Sequence, residues 1–252
     1  MKALAALLLF VWAPAALAAN PTPCRERVEQ ELRTLQNDLE EGDIIFHVSD
    51  SRQSAMLREA TGSIWTHVGV LFKKDGVLGV SEASGSEVAW SSLRGFVRGS
   101  EGWQIKIRRL DPAACRELQE TQPNAPILCD RAEGLEALRT NLKAMWGLPY
   151  DVHFQPGNEA IYCSEHVQKA YEAAYGLRLG QEQSFGEMLG IPESGSWRDL
   201  PEDSLVRQAI IARFDGGNTF DPTTPAVSPV ALLESTLLTP VYDCVDAEDA
   251  SH

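Results

Sequence analysis

Apolar residues recur every three or four positions between residues 24 and 41, where Val28, Leu32, Leu35 and Leu39 stand among charged neighbours and Gly42 ends the run. That spacing predicts an amphipathic helix. Residues 43–48 read as a short strand, and Ser51 is placed to cap a helix running to residue 60 and stopping near Gly62. The period then changes to two over residues 65–72 and 77–83, with Lys73-Lys74-Asp75-Gly76 between them as a hairpin turn signal. Residues 104–110 form a third candidate strand. Leu135, Leu138, Leu142 and Met145 mark one face of a helix closed by Gly147 and Pro149. Val167, Ala170, Tyr171 and Ala174 do the same for a helix that starts near Cys163. Ser228-Pro229 looks like an N-cap followed by proline at the first helical position. Helices at both ends around a run of antiparallel strands make the expected fold class α+β, with no linker dividing it.

The 252 residues are 44% hydrophobic and 23% charged, which suits a folded chain of one domain or at most two. Acidic side chains outnumber basic ones by 36 to 22, a net charge of -14. Such a surface repels phosphate backbones and anionic lipid, so no nucleic-acid partner is expected. No stretch beyond the first twenty residues is apolar enough, for long enough, to cross a bilayer, so no stable membrane insertion is expected. The first residues differ. Met1-Lys2, an apolar run over 3–12, Pro14 and then Ala16-Leu17-Ala18 follow the pattern of a signal peptide over residues 1–18, leaving a mature domain of 19–252. The expected location is across the inner membrane, in the periplasm, where disulfides persist.

That compartment makes the five cysteines informative, because an odd count leaves at least one thiol without an internal partner. Cys115 and Cys129 flank a polar, proline-containing loop, and closing a loop of about 15 residues is worth roughly 3 kcal/mol. Cys24 and Cys244 lie near the two mature ends, which often sit close together in a compact domain. Counting alone does not fix the connectivity, but context points to these two pairs and leaves Cys163.

Tyr162-Cys163-Ser164-Glu165-His166 opens a helix, where unpaired backbone amides and the positive end of the dipole favour a thiolate. The same amides suit an oxyanion forming on a substrate carbonyl. The plain alternative is an inert cysteine that packs a helix start. A thiol nucleophile needs a base, and His47, His67, His153 and His166 are available, with His252 set aside in a polar tail. A two-residue Asp75-Gly76 turn pairs Lys74 with Val77. Ser84 then opposes His67, and Glu82 falls two residues along the same face, within diagonal reach of the ring. A one-residue slip would send Glu82 to the other face. His47, alternating with Phe46 and Val48, faces solvent or the helix layer. Cys163 and His166, with His153 as a third, form the alternative of a zinc site. No second ligand pair of recognisable spacing accompanies them, so neither metal nor cofactor is expected. Tyr150-Asp151 follows Pro149 in a loop placed to line a substrate cleft.

Taken in order, Gly42-Asp43-Ile44-Ile45-Phe46, Thr66-His67-Val68-Gly69, Ser81-Glu82-Ala83, Pro149-Tyr150-Asp151 and Tyr162-Cys163-Ser164-Glu165 resemble the permuted papain-like NlpC/P60 cysteine hydrolases, nearest to the YiiX/YebB-like group. The resemblance runs from about residue 41 to the end. It implies a papain-like α+β fold with a central antiparallel sheet, circularly permuted so that the histidine precedes the cysteine. It also implies a catalytic triad of Cys163 as nucleophile, His67 as base and Glu82 as orienter, with Tyr150 matching a tyrosine near the family's cleft. Residues 101–133, which hold Cys115 and Cys129, look like an insertion relative to shorter relatives. Such proteins cut amide bonds in cell-wall peptides, while permuted relatives include lipid-directed thiol acyltransferases. The leading expectation is therefore an exported cysteine hydrolase acting on a peptide or amide substrate of the murein type. A lipid-directed thiol acyltransferase or hydrolase, and a murein-binding module with an idle site, are the alternatives.

Overall fold

The computed structural model describes residues 22–155, 157–181, 183–247 and 249, so the expected signal segment 1–18 lies outside the described residues. Helix α1 (Cys24–Leu35) leads to strand β1 (Ile44–Ser49), helix α2 (Arg52–Thr61) and a meander of β2 (His67–Lys74), β3 (Val77–Ser84) and β4 (Glu87–Ser92). Helix α3 (Leu93–Arg98) returns the chain to β5 (Ser100–Leu110), followed by α4 (Pro112–Thr121), α5 (Arg131–Ala144) and α6 (Cys163–Tyr175). Short elements β6 (Gln183–Ser184) and α7 (Phe185–Met188) precede α8 (Leu205–Arg213), β7 (Pro225–Ala226), α9 (Pro229–Leu233) and β8 (Leu238–Cys244).

Among the described residues the long strands form one six-stranded sheet in the order β4-β3-β2-β1-β5-β8, each neighbouring pair antiparallel. Alternation along the strands divides the core. Ile44, Phe46, Val68, Val70 and Phe72 pack with Leu138 and Leu142 of α5 and Val167, Ala170 and Tyr171 of α6. Ile45, Leu71, Val80, Ile105 and Ile107 pack instead with Val28 and Leu32 of α1 and with Leu93, Phe96 and Val97 of α3. The fold is therefore α+β, a sheet with helices on both faces.

Two contacts hold α6 in place, and a third ties together the elements beneath it. Gly134 on α5 lets α6 approach closely, since a Cβ there would stand 2.0 Å from the Tyr175 ring. The Tyr171 hydroxyl donates to the Gly42 carbonyl at the entrance to β1. One residue later, fully buried Asp43 accepts from Arg109 Nε and Nη2, each at 2.7 Å, and from Arg131 Nη2 at 3.3 Å. This joins β1, β5 and the start of α5 around one carboxylate.

One expectation changes. The first helix ends at Leu35, and a turn carries Leu39 into the core rather than a continuing helix. Within the stretch 101–133, residues 101–110 belong to β5, an internal strand between β1 and β8, while α4 and the following loop stand apart from the sheet. The Cys115–Cys129 disulfide ties that helix to that loop, with Cα atoms 5.6 Å apart. A second disulfide, Cys24–Cys244, joins the start of α1 to the end of β8, also at 5.6 Å.

Candidate active site

Cys163 is the first residue of α6, buried at 3% exposure and without a disulfide partner. Tyr162 and Ser164 on either side hold the helix start to one residue. The Val227 amide donates to the Tyr162 hydroxyl at 3.1 Å, and the Ser164 hydroxyl donates to the Val227 carbonyl at 2.7 Å. The Cys163 sulfur thus sits where the first amides of α6 point, in reach of the Ser164 and Val68 N–H groups and of the His67 ring.

His67 opens β2, and the hairpin keeps the register set by its turn, with Lys74 opposite Val77 and Val70 opposite Ser81. Asp75 and Gly76 both have positive φ, 52° and 80°, as a tight two-residue hairpin turn requires. Glu82 consequently comes beneath His67, and Nε2 lies 2.6 Å from Oε2. The Ser91 hydroxyl on β4 donates to the other carboxylate oxygen. With Nε2 engaged by Glu82, Nδ1 is left for the thiol.

Burial alone would push the Cys163 thiol up, yet the hydrogen bond and charge of His67, with the Val68 and Ser164 amides, bring it below its ordinary value. Burial alone would likewise deprotonate His67, but hydrogen bonds to Cys163 and Glu82 and their charges raise it. Glu82 ends below the usual carboxylate range because the His67 bond and charge and the Ser91 bond outweigh its burial. The three groups favour one state: thiolate, imidazolium and carboxylate in series.

The other histidines do not join them. Burial lowers His166 to about 4, and its Nε2 meets the Ser81 hydroxyl at 3.0 Å. His153 packs edge-on against Phe214, 5.8 Å between ring centroids. His47 lies directly opposite His67, on the side of α3. Its ring is 4.7 Å from that of His67, and Nδ1 donates to the Phe96 carbonyl at 3.1 Å. Burial and the His67 charge lower it to about 3, so it stays neutral.

Tyr150 lies at the mouth of the site. Its hydroxyl accepts from Gln53 Nε2 at 2.6 Å, and it stands close enough to Cys163 for the charge of either group to act on the other. Burial and the Cys163 charge keep it a phenol. A cleft of about 360 Å³ opens in front of His67 and Tyr150, walled by the start of α2 and the end of β3. Gln53 and Ser91 do not stand out in the sequence, and Tyr162 and Ser164 stand out there only as neighbours of Cys163. Ser91 becomes visible once β4 is recognised, because β3 register places it beside Glu82. Gln53 carries no local signal.

A cysteine at the start of a helix, packed on an antiparallel sheet whose earlier strands supply histidine and acid, defines the permuted papain-like class. Residues 38–242 match the family of permuted papain-like amidase enzymes, YaeF/YiiX, C92, and the chain belongs to that family. It is 31% identical over 146 residues to the uncharacterized protein YiiX of Escherichia coli (strain K12), a match covering 58% of this chain and 64% of that protein, under two-thirds of its length. It also resembles the crystal structure of metalloprotein YiiX from Escherichia coli O157:H7, with a TM-score of 0.64 and 26% identity over 82% of this chain and 98% of that one.

Proposed function

We propose that the protein is an exported cysteine amidase that cleaves amide bonds of murein-type peptides through Cys163, His67 and Glu82. The observation that carries this reading is the continuous contact from Glu82 through His67 to Cys163 at the start of α6. The two disulfides support a location in an oxidising compartment.

In this reading the Cys163 thiolate attacks the substrate carbonyl carbon. The resulting oxyanion takes hydrogen bonds from the first amides of α6 and from the Tyr150 hydroxyl, which lies close to the sulfur. His67 gives its proton to the departing amine nitrogen, the C–N bond breaks, and a thioester remains on Cys163. Neutral His67 then takes a proton from water as that water attacks the thioester. Carboxylic acid leaves and the thiolate–imidazolium pair is restored. Glu82 orients the ring and stabilises its positive form throughout.

The structural relative is described as a metalloprotein, and the residues present here do not fit such a role. Among the described residues no three His, Cys, Asp or Glu side chains converge into a metal-binding set. The donors nearest Cys163 are already committed, His67 to the thiol and to Glu82, and His166 to Ser81. No step is therefore routed through a metal.

The test is incubation of purified protein with murein peptides and, separately, with acyl lipids, comparing wild type and Cys163→Ala by mass spectrometry. New amine and carboxylate termini in the peptides, absent with the variant, support the reading. Turnover confined to acyl lipids would replace it with a lipid-directed acyltransferase or hydrolase.

A further inference from the structure

The cleft before His67 and Tyr150 differs in charge from the rest of this acidic molecule. Its wall is rich in hydroxyls, from Ser49, Ser51, Ser54, Thr66 and Ser84, and its one permanently charged lining side chain is Arg52. Several arginines elsewhere are spent on carboxylates: Arg109 and Arg131 on Asp43 and Glu40, Arg139 on Glu41, and Arg108 on Asp243. Arg52 is exposed and has no ion pair or hydrogen bond of its own among the described residues. Two acids of the site are occupied. Asp151 accepts from the His153 and Gln155 amides, and Glu82 from His67 and Ser91. Asp50, two residues away in sequence, makes no ion pair with Arg52.

Position adds to this. Gln53, the next residue along α2, donates to the Tyr150 hydroxyl, which in turn touches Cys163. Arg52 therefore stands one residue from the contact that reaches the reacting sulfur. Behind Val152, Arg213 of α8 donates to the Val152 carbonyl at 3.4 Å, and its charge acts on Tyr150. A molecule of net charge -14 thus presents a guanidinium group, that of Arg52, at its reactive cleft. Oppositely charged substrates are concentrated and oriented by such a local field, and a planar guanidinium binds a carboxylate through paired N–H donors.

We infer that Arg52 is a specificity-determining residue that binds a free carboxylate, and that the site takes acidic amides, those carrying a carboxylate close to the scissile bond. The inference rests on the amidase reading for the reaction but not for its first test. Iodoacetate and iodoacetamide differ chiefly in that carboxylate, and each alkylates Cys163 by forming an S–C bond as iodide leaves. The rate ratio of iodoacetate to iodoacetamide at Cys163 is measured by mass spectrometry for wild type, Arg52→Gln, Arg52→Lys and, as a charge control far from the cleft on α4, Arg116→Gln. The ratio should fall about tenfold in Arg52→Gln, equivalent to about 1.4 kcal/mol. It should be largely retained in Arg52→Lys and match wild type in Arg116→Gln. An equal ratio in wild type and Arg52→Gln overturns the inference and leaves the thiolate site standing. Failure of both reagents to label Cys163 overturns the nucleophile reading and this inference with it. On peptide amides paired as free acid and carboxamide, wild type should prefer the acid and Arg52→Gln should lose that preference. Equal turnover of both by wild type overturns acid selectivity while keeping the amidase.

Discussion

His67 and Glu82 meet at 2.6 Å across two adjacent strands, fifteen residues apart in sequence. Their contact follows from the shortness of the Asp75-Gly76 turn, and it is almost wholly buried. A charge pair there stabilises the fold only while both partners are ionised. Glu82, lowered from 4.5, contributes above the unfolded carboxylate range and loses that contribution as pH falls through its depressed folded value. His67, raised from 6.5, contributes fully below 6.5 and loses that contribution as pH rises through its elevated folded value. Urea midpoints measured against pH should therefore show the largest advantage of wild type over Glu82→Gln between about pH 5 and 6.5. A pH-independent difference would mean the pair is not ionic.

Within the triad the three substitutions should not be equal. Cys163→Ala and His67→Ala should each lower kcat/KM by about 10⁴-fold or more, and the double variant should be hardly worse than either. Glu82→Gln should retain more activity than either, since it removes orientation and charge but neither the nucleophile nor the proton carrier. Near-normal turnover by His67→Ala on a substrate that Cys163→Ala cannot process would transfer the base role elsewhere.

Tyr150→Phe keeps the ring and deletes the hydroxyl that touches both Gln53 and Cys163. Loss of one oxyanion donor costs about 10²–10³ in kcat, so a fall of that order, with KM little changed, is expected from steady-state kinetics. A change confined to KM would make Tyr150 a substrate contact instead.

How much of this could be read beforehand divides by the kind of signal each element carries. The hairpin register was legible because Asp75-Gly76 demands a tight turn, and that turn alone brings Glu82 to His67. The start of α6 was legible from Val167, Ala170, Tyr171 and Ala174, and the α+β class from the order of the elements. Strand β8 was not. It is an edge strand, only partly buried, with Pro240 inside and no clean alternation, so nothing in its pattern announces pairing with β5. Strand β4 is short and half polar, and with it went Ser91. Gln53 reaches Tyr150 across 97 residues of sequence, a tertiary contact that no local pattern encodes.

Asp43 provides a contrast, since it is as buried as any site residue yet its partners are structural arginines on β5 and α5. Asp43→Ala leaves two guanidinium groups without their buried acceptor, with only the exposed Glu40 still shared between them, and should cost about 3 kcal/mol or more. For a chain of this size that corresponds to a drop in melting temperature of roughly 6–12 °C, measurable by calorimetry. Activity of the folded fraction should be retained. A loss of turnover without a loss of stability would place Asp43 in the reaction.

The central claim, that His67 holds Cys163 as a thiolate, is tested most directly by the pH dependence of Cys163 alkylation with iodoacetamide, followed by mass spectrometry on the native protein. A free thiol titrates near pH 8.5, so its reaction slows steeply below neutrality. Wild-type Cys163 should instead titrate below the free-thiol value and so keep its rate further into the acid range, because the imidazolium and the Ser164 and Val68 amides favour the thiolate. In His67→Ala, burial acts without that opposing charge, and the midpoint should rise above the free-thiol value. A wild-type midpoint at or above 8.5 that does not move in His67→Ala would contradict the account.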